Sequence, residues 1–408
     1  SDLLPLLPYY TNALTEVGVG GRDYIATQEW QSSVCGSIHA YTSLRSAIDD
    51  EQNAHAVMVL SSKALARNQR AQGELMKATL EQPRWDELPR IRDLIAQQRA
   101  RREQSITGNG HGLAMNAACA GMSFIGKLQH ELSGLGGIQA VKQLDDALET
   151  HAHLEQFTQK LSRLHQAIVA GAKQLLIVAE ADVLPAMQDT ANDLWASTTL
   201  PLQASPFCAD KVRAPVHQIW QTNTQVNFCA KAYPTVPIDH PDAATLSVLG
   251  GFLRNGFLHR AIREQGGAYG GGASQDSNVA AFRFYSYRDP RLNETLADFD
   301  AAVQWLLEND HEAEQLEQAI LGVIGSLDKP GSPAGEAKQD FHNNLFGRTA
   351  EQQRRFRARI LGVTLDDLKR VAQTYLKPEM ASIAVVTNEQ GRQQYQASAK
   401  GEFEVLTV

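Results

Sequence analysis

Residues 263–290 read REQGGAYGGGASQDSNVAAFRFYSYRDP, with five glycines crowded around Arg263 and Tyr269. A glycine inside a helix or strand costs about 0.5–1 kcal/mol relative to alanine, so the cluster marks a place where something approaches the backbone closely. Upstream, Leu246, Leu249, Leu253, Phe257 and Ala261 recur at helical spacing behind Pro241. The spacing predicts a helix over 241–265 that stops at Gly266 and Gly267, with Arg254, His259 and Arg263 off its apolar stripe. Residues 279–288 read as a strand. Arg263 then closes the helix and Tyr269 opens the extended segment beyond, close enough for both to face one cavity. A guanidinium is permanently charged and a phenol keeps its proton at neutral pH, so the pair offers fixed hydrogen-bond donors without general-base capacity. The plainer reading has Arg263 complementing the helix dipole, Tyr269 packing and the glycines forming a bulge.

Working outward, the order of elements repeats. Strand-like segments at 34–44 and 57–62 precede helical patterns at 63–80, 86–106, 112–134 and 149–171, and KQLLIVAE at 173–180 reads as a closing strand. In the second half a strand pair at 216–232 leads into the 241–265 helix and the glycine stretch. Helices follow at 291–308, 311–327 and 349–375, and MASIAVVTN at 380–388 ends as a strand. Runs of helices follow runs of strands without βαβ alternation, which predicts an α+β fold of two similar domains, each a largely antiparallel sheet covered by helices. The segment 196–215, with three prolines, is the natural linker, dividing the chain into 1–198 and 199–408.

Composition excludes several classes. A net charge of −8 in 408 residues argues against a nucleic-acid or anionic-membrane surface. The longest apolar runs, such as 56–60 and 175–179, fall far short of the ~20 residues of a membrane helix. Cys35, Cys119, Cys208 and Cys229 lack any C-x-x-C spacing, which disfavours a zinc ribbon or a disulfide framework and predicts reduced, mostly buried thiols. The start at SDLLPLLPYY shows no secretory signal.

Neither H-E-x-x-H nor H-x-x-E-H occurs, and His151, His153 and Glu155 are spaced in twos, so no metal site is expected in this chain. GNGHGL at 108–113 puts Leu113 where a dinucleotide fingerprint needs its third glycine and lacks the lysine of a P-loop, so it reads as a loop between helices. GGAYGGGA at 266–273 precedes a strand where a phosphate loop precedes a helix. No G-x-S-x-G elbow is present.

VHQIWQTNTQVNFCAKAY, HPDAATLSVLGGFLRNGFLHRAIREQGGAYGGGA and FRFYSYRDPRLNETLADF, between 216 and 300, closely resemble the C-terminal half of the presequence protease branch of the insulinase and pitrilysin metallopeptidases. The similarity extends over the whole chain, its first domain resembling the third of that family and its second the fourth. The resemblance implies a clamshell zinc oligopeptidase whose N-terminal half carries the metal on an inverted H-x-x-E-H helix. It also implies that Arg263 and Tyr269 are lent to the chamber for substrate binding and oxyanion stabilisation. Gly267, Gly270 and Gly271 would let a peptide backbone approach. Zinc would be held by the absent half, the partner of this chain, in bacterial cytosol or an organelle matrix, and this chain alone would be inert. A non-catalytic peptide-binding or scaffold subunit paired with a separate metal-bearing chain is the alternative, and an unrelated α+β binding module a third.

Overall fold

The structure, a computed structural model, describes residues 2–196, 211–398 and 402–408. The first half begins with α1 (Leu7–Leu14) and α2 (Tyr24–Val34), then forms the antiparallel hairpin of β1 (Ser37–Ser46) and β2 (Ala54–Lys63). There follow α3 (Gln69–Glu81), α4 (Leu88–Ala118), α5 (Phe124–Ser133), α6 (Leu135–Ala147), α7 (His151–Val169) and α8 (Leu184–Trp195). In the second half β3 (His217–Gln221) and β4 (Phe228–Pro234) lead into α9 (Asp242–Leu253), which continues as a π-helical segment over Arg254–Gln265. Next come β5 (Gly270–Asp276), β6 (Ala281–Tyr287), α10 (Asn293–Glu308), α11 (Ala313–Leu327), α12 (Pro333–Leu345), α13 (Ala350–Leu361) and α14 (Leu365–Tyr375). β7 (Ser382–Thr387), α15 (Glu389–Ser398) and β8 (Glu404–Thr407) close the chain.

Six strands of the second half form one sheet in the order β5-β6-β4-β7-β3-β8. Pairing is antiparallel from β5 through β7 and parallel where β3 joins β7 and β8. The α+β architecture expected from the sequence is therefore present, with a small antiparallel sheet in the first half and a larger mixed one in the second.

β4 is buried on both faces, and its two-residue period assigns each face a different cover. Cys229 and Tyr233 point into a core with Leu246, Leu249 and Leu253 of α9. Phe228, Ala230 and Ala232 face the opposite way, against Ile106, Leu113, Ala114, Ala117 and Ala118 of α4. A first-half helix thus covers one face of the second-half sheet, and the two halves share a hydrophobic core. Small side chains on α4 make the close approach possible. A Cβ on Gly110 would lie 2.5 Å from the Phe228 ring. A further core joins α1, α4 and α7 through Tyr10, Leu14, Ile91, Ile95 and Leu161.

Three local expectations are corrected. GNGHGL is no loop: it lies inside α4, which bends at Asn109 (φ −130°, ψ 24°) and continues to Ala118. Glycines at 108, 110 and 112 each weaken the helix by about 1 kcal/mol, and packing on the sheet outweighs that cost. Residues 173–180 form no strand; Leu175, Leu176 and Val178 are exposed, and no ladder partner is present among the described residues. β propensity reports how a side chain fits a pleated surface, and no such surface is supplied there. The helix expected over 349–375 is two, because Thr364 and Asp367 form a capping box that starts α14 afresh. The proposed linker and the boundary at 198/199 fall on or beside residues 197–210, outside the described residues.

His130 of α5 is buried, with its ring 5.5 Å from that of Trp220 and its Nδ1 without a hydrogen-bond partner among the described residues. Burial pushes its pKa down to about 4. The unfolded chain takes up a proton near pH 6.5 and the folded chain does not, so stability is full above that pH. It falls as the pH drops toward about 4. The expected loss across this window is up to about 3 kcal/mol, and His130→Phe should flatten that limb of a urea-midpoint-versus-pH curve.

Candidate functional site

The glycine-rich bend sits where the α9 helix gives way to the edge of the sheet. Two close approaches hold the helix there. A Cβ on Gly250 would stand 3.0 Å from the β5 backbone at Ala273, and one on Gly256 would stand 2.3 Å from the Trp305 ring of α10. From Arg254 the winding widens to π, a form that accumulates at functional sites. The widening persists into the stop: Gly267 N donates to Arg263 O and Ala268 N to Ile262 O, each at 3.1 Å, one residue wider than in a Schellman closure. Gly267 takes φ +80°, as the sequence predicts for the residue that reverses the chain.

Arg263 occupies the last helical turn with its side chain in solvent. It has no carboxylate partner among the described residues, since the neighbouring Glu264 is 3.3 Å from His259. The end of the helix is served by another arginine: Arg291 Nη2 donates to Ala261 O at 3.2 Å and pairs with Asp298 at 2.9 Å. The dipole-complementing role therefore has an occupant other than Arg263.

Tyr269 is 69% exposed, and its hydroxyl makes no hydrogen bond among the described residues. It has two supports, both on or just beyond β6. Its ring stands edge-on to Tyr287 at 5.6 Å, and its N–H points at the Arg288 carbonyl at 3.4 Å. Arg288 takes φ +50°, a left-handed conformation that costs a non-glycine residue about 1 kcal/mol or more.

The glycines serve separate purposes. A Cβ on Gly270 would meet nothing within 4 Å, so the start of β5 is open above its backbone. On Gly271 it would come within 2.8 Å of Ile262, and on Gly272 within 3.3 Å of both the Arg254 stem and the Tyr285 hydroxyl. Those two let the strand pack on the helix. Arg263, Tyr269, Gly267 and Gly270 thus border one solvent-facing bend, and Gly271 belongs to its inner wall.

Sequence reasoning missed the wall behind Tyr269. His111 of α4 lies 4.7 Å from Tyr287 and 5.6 Å from Tyr285, ring to ring. Phe228 lies 5.9 Å from Tyr287, and the Arg288 guanidinium 5.5 Å from the Tyr287 ring. The signal in the sequence is GNGHGL, whose spacing reads as a loop.

Among the described residues no three His, Cys, Asp or Glu side chains are placed to hold a metal ion, so the residues present do not fit a zinc site. No described helix is long and apolar enough to cross a membrane.

Two family models match the chain: one for the region associated with peptidases of family M16, subfamily C, over residues 1–144, and "PreP C-terminal domain" over 219–389. The mitochondrial presequence protease of Yarrowia lipolytica is 27% identical over 393 residues, covering 94% of this chain and 39% of its own length. The chloroplastic/mitochondrial presequence protease 1 of Arabidopsis thaliana is 26% identical, covering 95% and 36%. The chain spans about two fifths of such relatives. Among solved structures, a conserved protein from Enterococcus faecalis superposes with a TM-score of 0.68 at 14% identity, covering 95% of this chain and 91% of that one. Pitrilysin superposes with a TM-score of 0.58 at 14% identity, covering 100% and 41%. At such identities the superpositions speak for the fold alone. Fold and sequence matches together put the chain in the M16 peptidase family. Within it, the chain corresponds to the C-terminal half of the presequence-protease-like members.

Proposed function

We propose that this chain is the metal-free half of a zinc oligopeptidase and that it lends Arg263 and Tyr269 to a chamber closed by the metal-bearing half. The observation that carries this reading is the pair of donors flanking one open bend, both in solvent: among the described residues the guanidinium has no carboxylate and the phenol no hydrogen-bond partner. Exposed donors at a strained, glycine-rich bend await a ligand more naturally than they stabilise a fold. Zinc, when bound by the other half, would polarise the scissile carbonyl. Arg263 and Tyr269 would donate to the oxygen on which charge develops, or to the neighbouring carbonyls of an extended peptide. Gly267 lets the bend turn, and Gly270 leaves the strand start open for peptide backbone. Short unfolded peptides fit such a chamber, and two family domains dividing at 198/199 belong to the same reading.

A second reading is a non-catalytic subunit paired with a separate metal-bearing chain; a Pseudomonas fluorescens structure described as a peptidase M16 inactive domain shares the fold. It superposes with a TM-score of 0.60 at 18% identity and covers 87% of that chain. One experiment separates the readings. The chain is expressed alone, mixed with the H-x-x-E-H-bearing half, and joined to it in one polypeptide. The expected result is no zinc uptake and no cleavage of a quenched fluorescent peptide by the chain alone, with turnover in the joined and mixed proteins. Cleavage by the isolated chain would overturn the proposal. Turnover by the metal-bearing half that is the same with and without this chain would favour the second reading.

A further inference from the structure

Tyr269 is poorly anchored for a residue expected to place a hydroxyl within tenths of an ångström. Its ring contact among the described residues is Tyr287, at 5.6 Å and 86°. What holds Tyr287 therefore sets the direction of Tyr269. On its inner side Tyr287 meets two rings: Phe228 of β4 at 5.9 Å and the His111 imidazole at 4.7 Å and 65°. Tyr285, two residues earlier on the same sheet face, flanks His111 at 5.6 Å.

His111 reaches this position through the bend in α4. Asn109 leaves helical geometry, and Gly110 lets the helix come down onto Phe228, where a Cβ would stand 2.5 Å from the ring. The following residue is thereby delivered between the two tyrosines. Its Nδ1 is buried and has no hydrogen-bond partner among the described residues, and burial lowers its pKa, so the ring is neutral at pH 7. Edge-to-face ring pairs are worth about 0.5–1.5 kcal/mol beyond area burial, enough to favour one orientation for an exposed neighbour.

We infer that His111, supplied by the first half of the chain, is a positioning residue for Tyr269, acting through the edge-on ring of Tyr287. The inference rests on the proposed chamber role of Tyr269 for its catalytic consequence and on ring geometry alone for the coupling.

The test uses His111→Ala and His111→Phe in the protein joined to its metal-bearing half, with Tyr269→Ala and the double variant completing a cycle. His111→Ala is expected to lower kcat about tenfold with KM changed less than twofold, since small misplacements of a reacting group carry large rate costs. His111→Phe, which restores a ring edge, should recover most of the loss, and His111→Ala should cost nothing further once Tyr269 is Ala. In parallel, the 408-residue chain labelled with 3-fluorotyrosine is read by ¹⁹F NMR, with the Tyr269 signal assigned from Tyr269→Phe. That signal should shift in His111→Ala and return in His111→Phe. Should His111→Ala fail to fold, His111→Leu, which fills the volume without an aromatic edge, takes its place. An unmoved Tyr269 signal, or an equal rate cost with and without the Tyr269 ring, would overturn the inference. Unchanged turnover in Tyr269→Ala alone would overturn the chamber role while leaving the NMR result to decide the coupling.

Discussion

With Arg263 replaced by Ala, the joined enzyme is expected to lose 10²–10³ in kcat, about 3–4 kcal/mol of transition-state stabilisation, the usual cost of deleting one oxyanion donor. Thermal stability should hardly move. The Arg263 side chain is solvent-exposed and has no carboxylate partner among the described residues, and Arg291 already serves the adjacent helix end. Arg263→Lys should recover only part of the rate, because an ammonium keeps the charge and loses the planar fork of donors. Tyr269→Phe removes the hydroxyl alone and leaves the edge-on contact with Tyr287, so its loss, expected near 10², isolates the donor from the ring. Steady-state kinetics with a short peptide, together with melting temperatures and zinc content, check all three. Wild-type turnover in Arg263→Ala would end the proposed role.

The largest expected effect on stability belongs to Phe228→Ala. The ring is fully buried, packed against α4 on one side and Tyr287 on the other, and truncating such a residue costs about 3–5 kcal/mol. Because the core it fills is shared by both halves, urea unfolding should keep a single transition at a lower midpoint. A sharper form of the prediction couples two sites. Gly110→Ala alone drives a methyl to 2.5 Å from the Phe228 ring and should be strongly destabilising. In the Phe228→Ala background the same methyl enters the vacated space, so the double variant should be more stable than the sum of the singles implies. Strict additivity would mean that the helix and strand do not meet as described.

How much of this was legible beforehand follows from where the information sits. The buried Leu246, Leu249 and Leu253 and the stop at Gly266–Gly267 are local, written at helical spacing and in one left-handed glycine, and they read correctly, but α9 is buried nearly all round and the π winding beyond Arg254 buries Leu258 and Ile262 where the expected stripe has Phe257. β1, β2, β4 and β7, rich in branched or aromatic residues, read correctly as strands for the same reason. β5 did not, since GGGASQD has almost no strand propensity and becomes a strand by pairing with β6 and packing beneath the helix. The reverse error fell on 173–180, where good strand formers have no neighbour among the described residues. At the site, Arg263 and Tyr269 lie six residues apart, so residue chemistry and a family resemblance suffice to propose them together. His111 and Tyr287 are brought together only by tertiary packing, so no spacing rule could have paired them.

The bent helix also limits how the molecule can be divided. Because α4 lies across the sheet formed after residue 216, a polypeptide beginning at Lys211 would bare Phe228, Ala230, Ala232, Ala281 and Val386 as one greasy sheet surface, an invitation to aggregate. By the same token, if the proposed chamber opens and shuts around a peptide, the shared core would make this chain move as one unit.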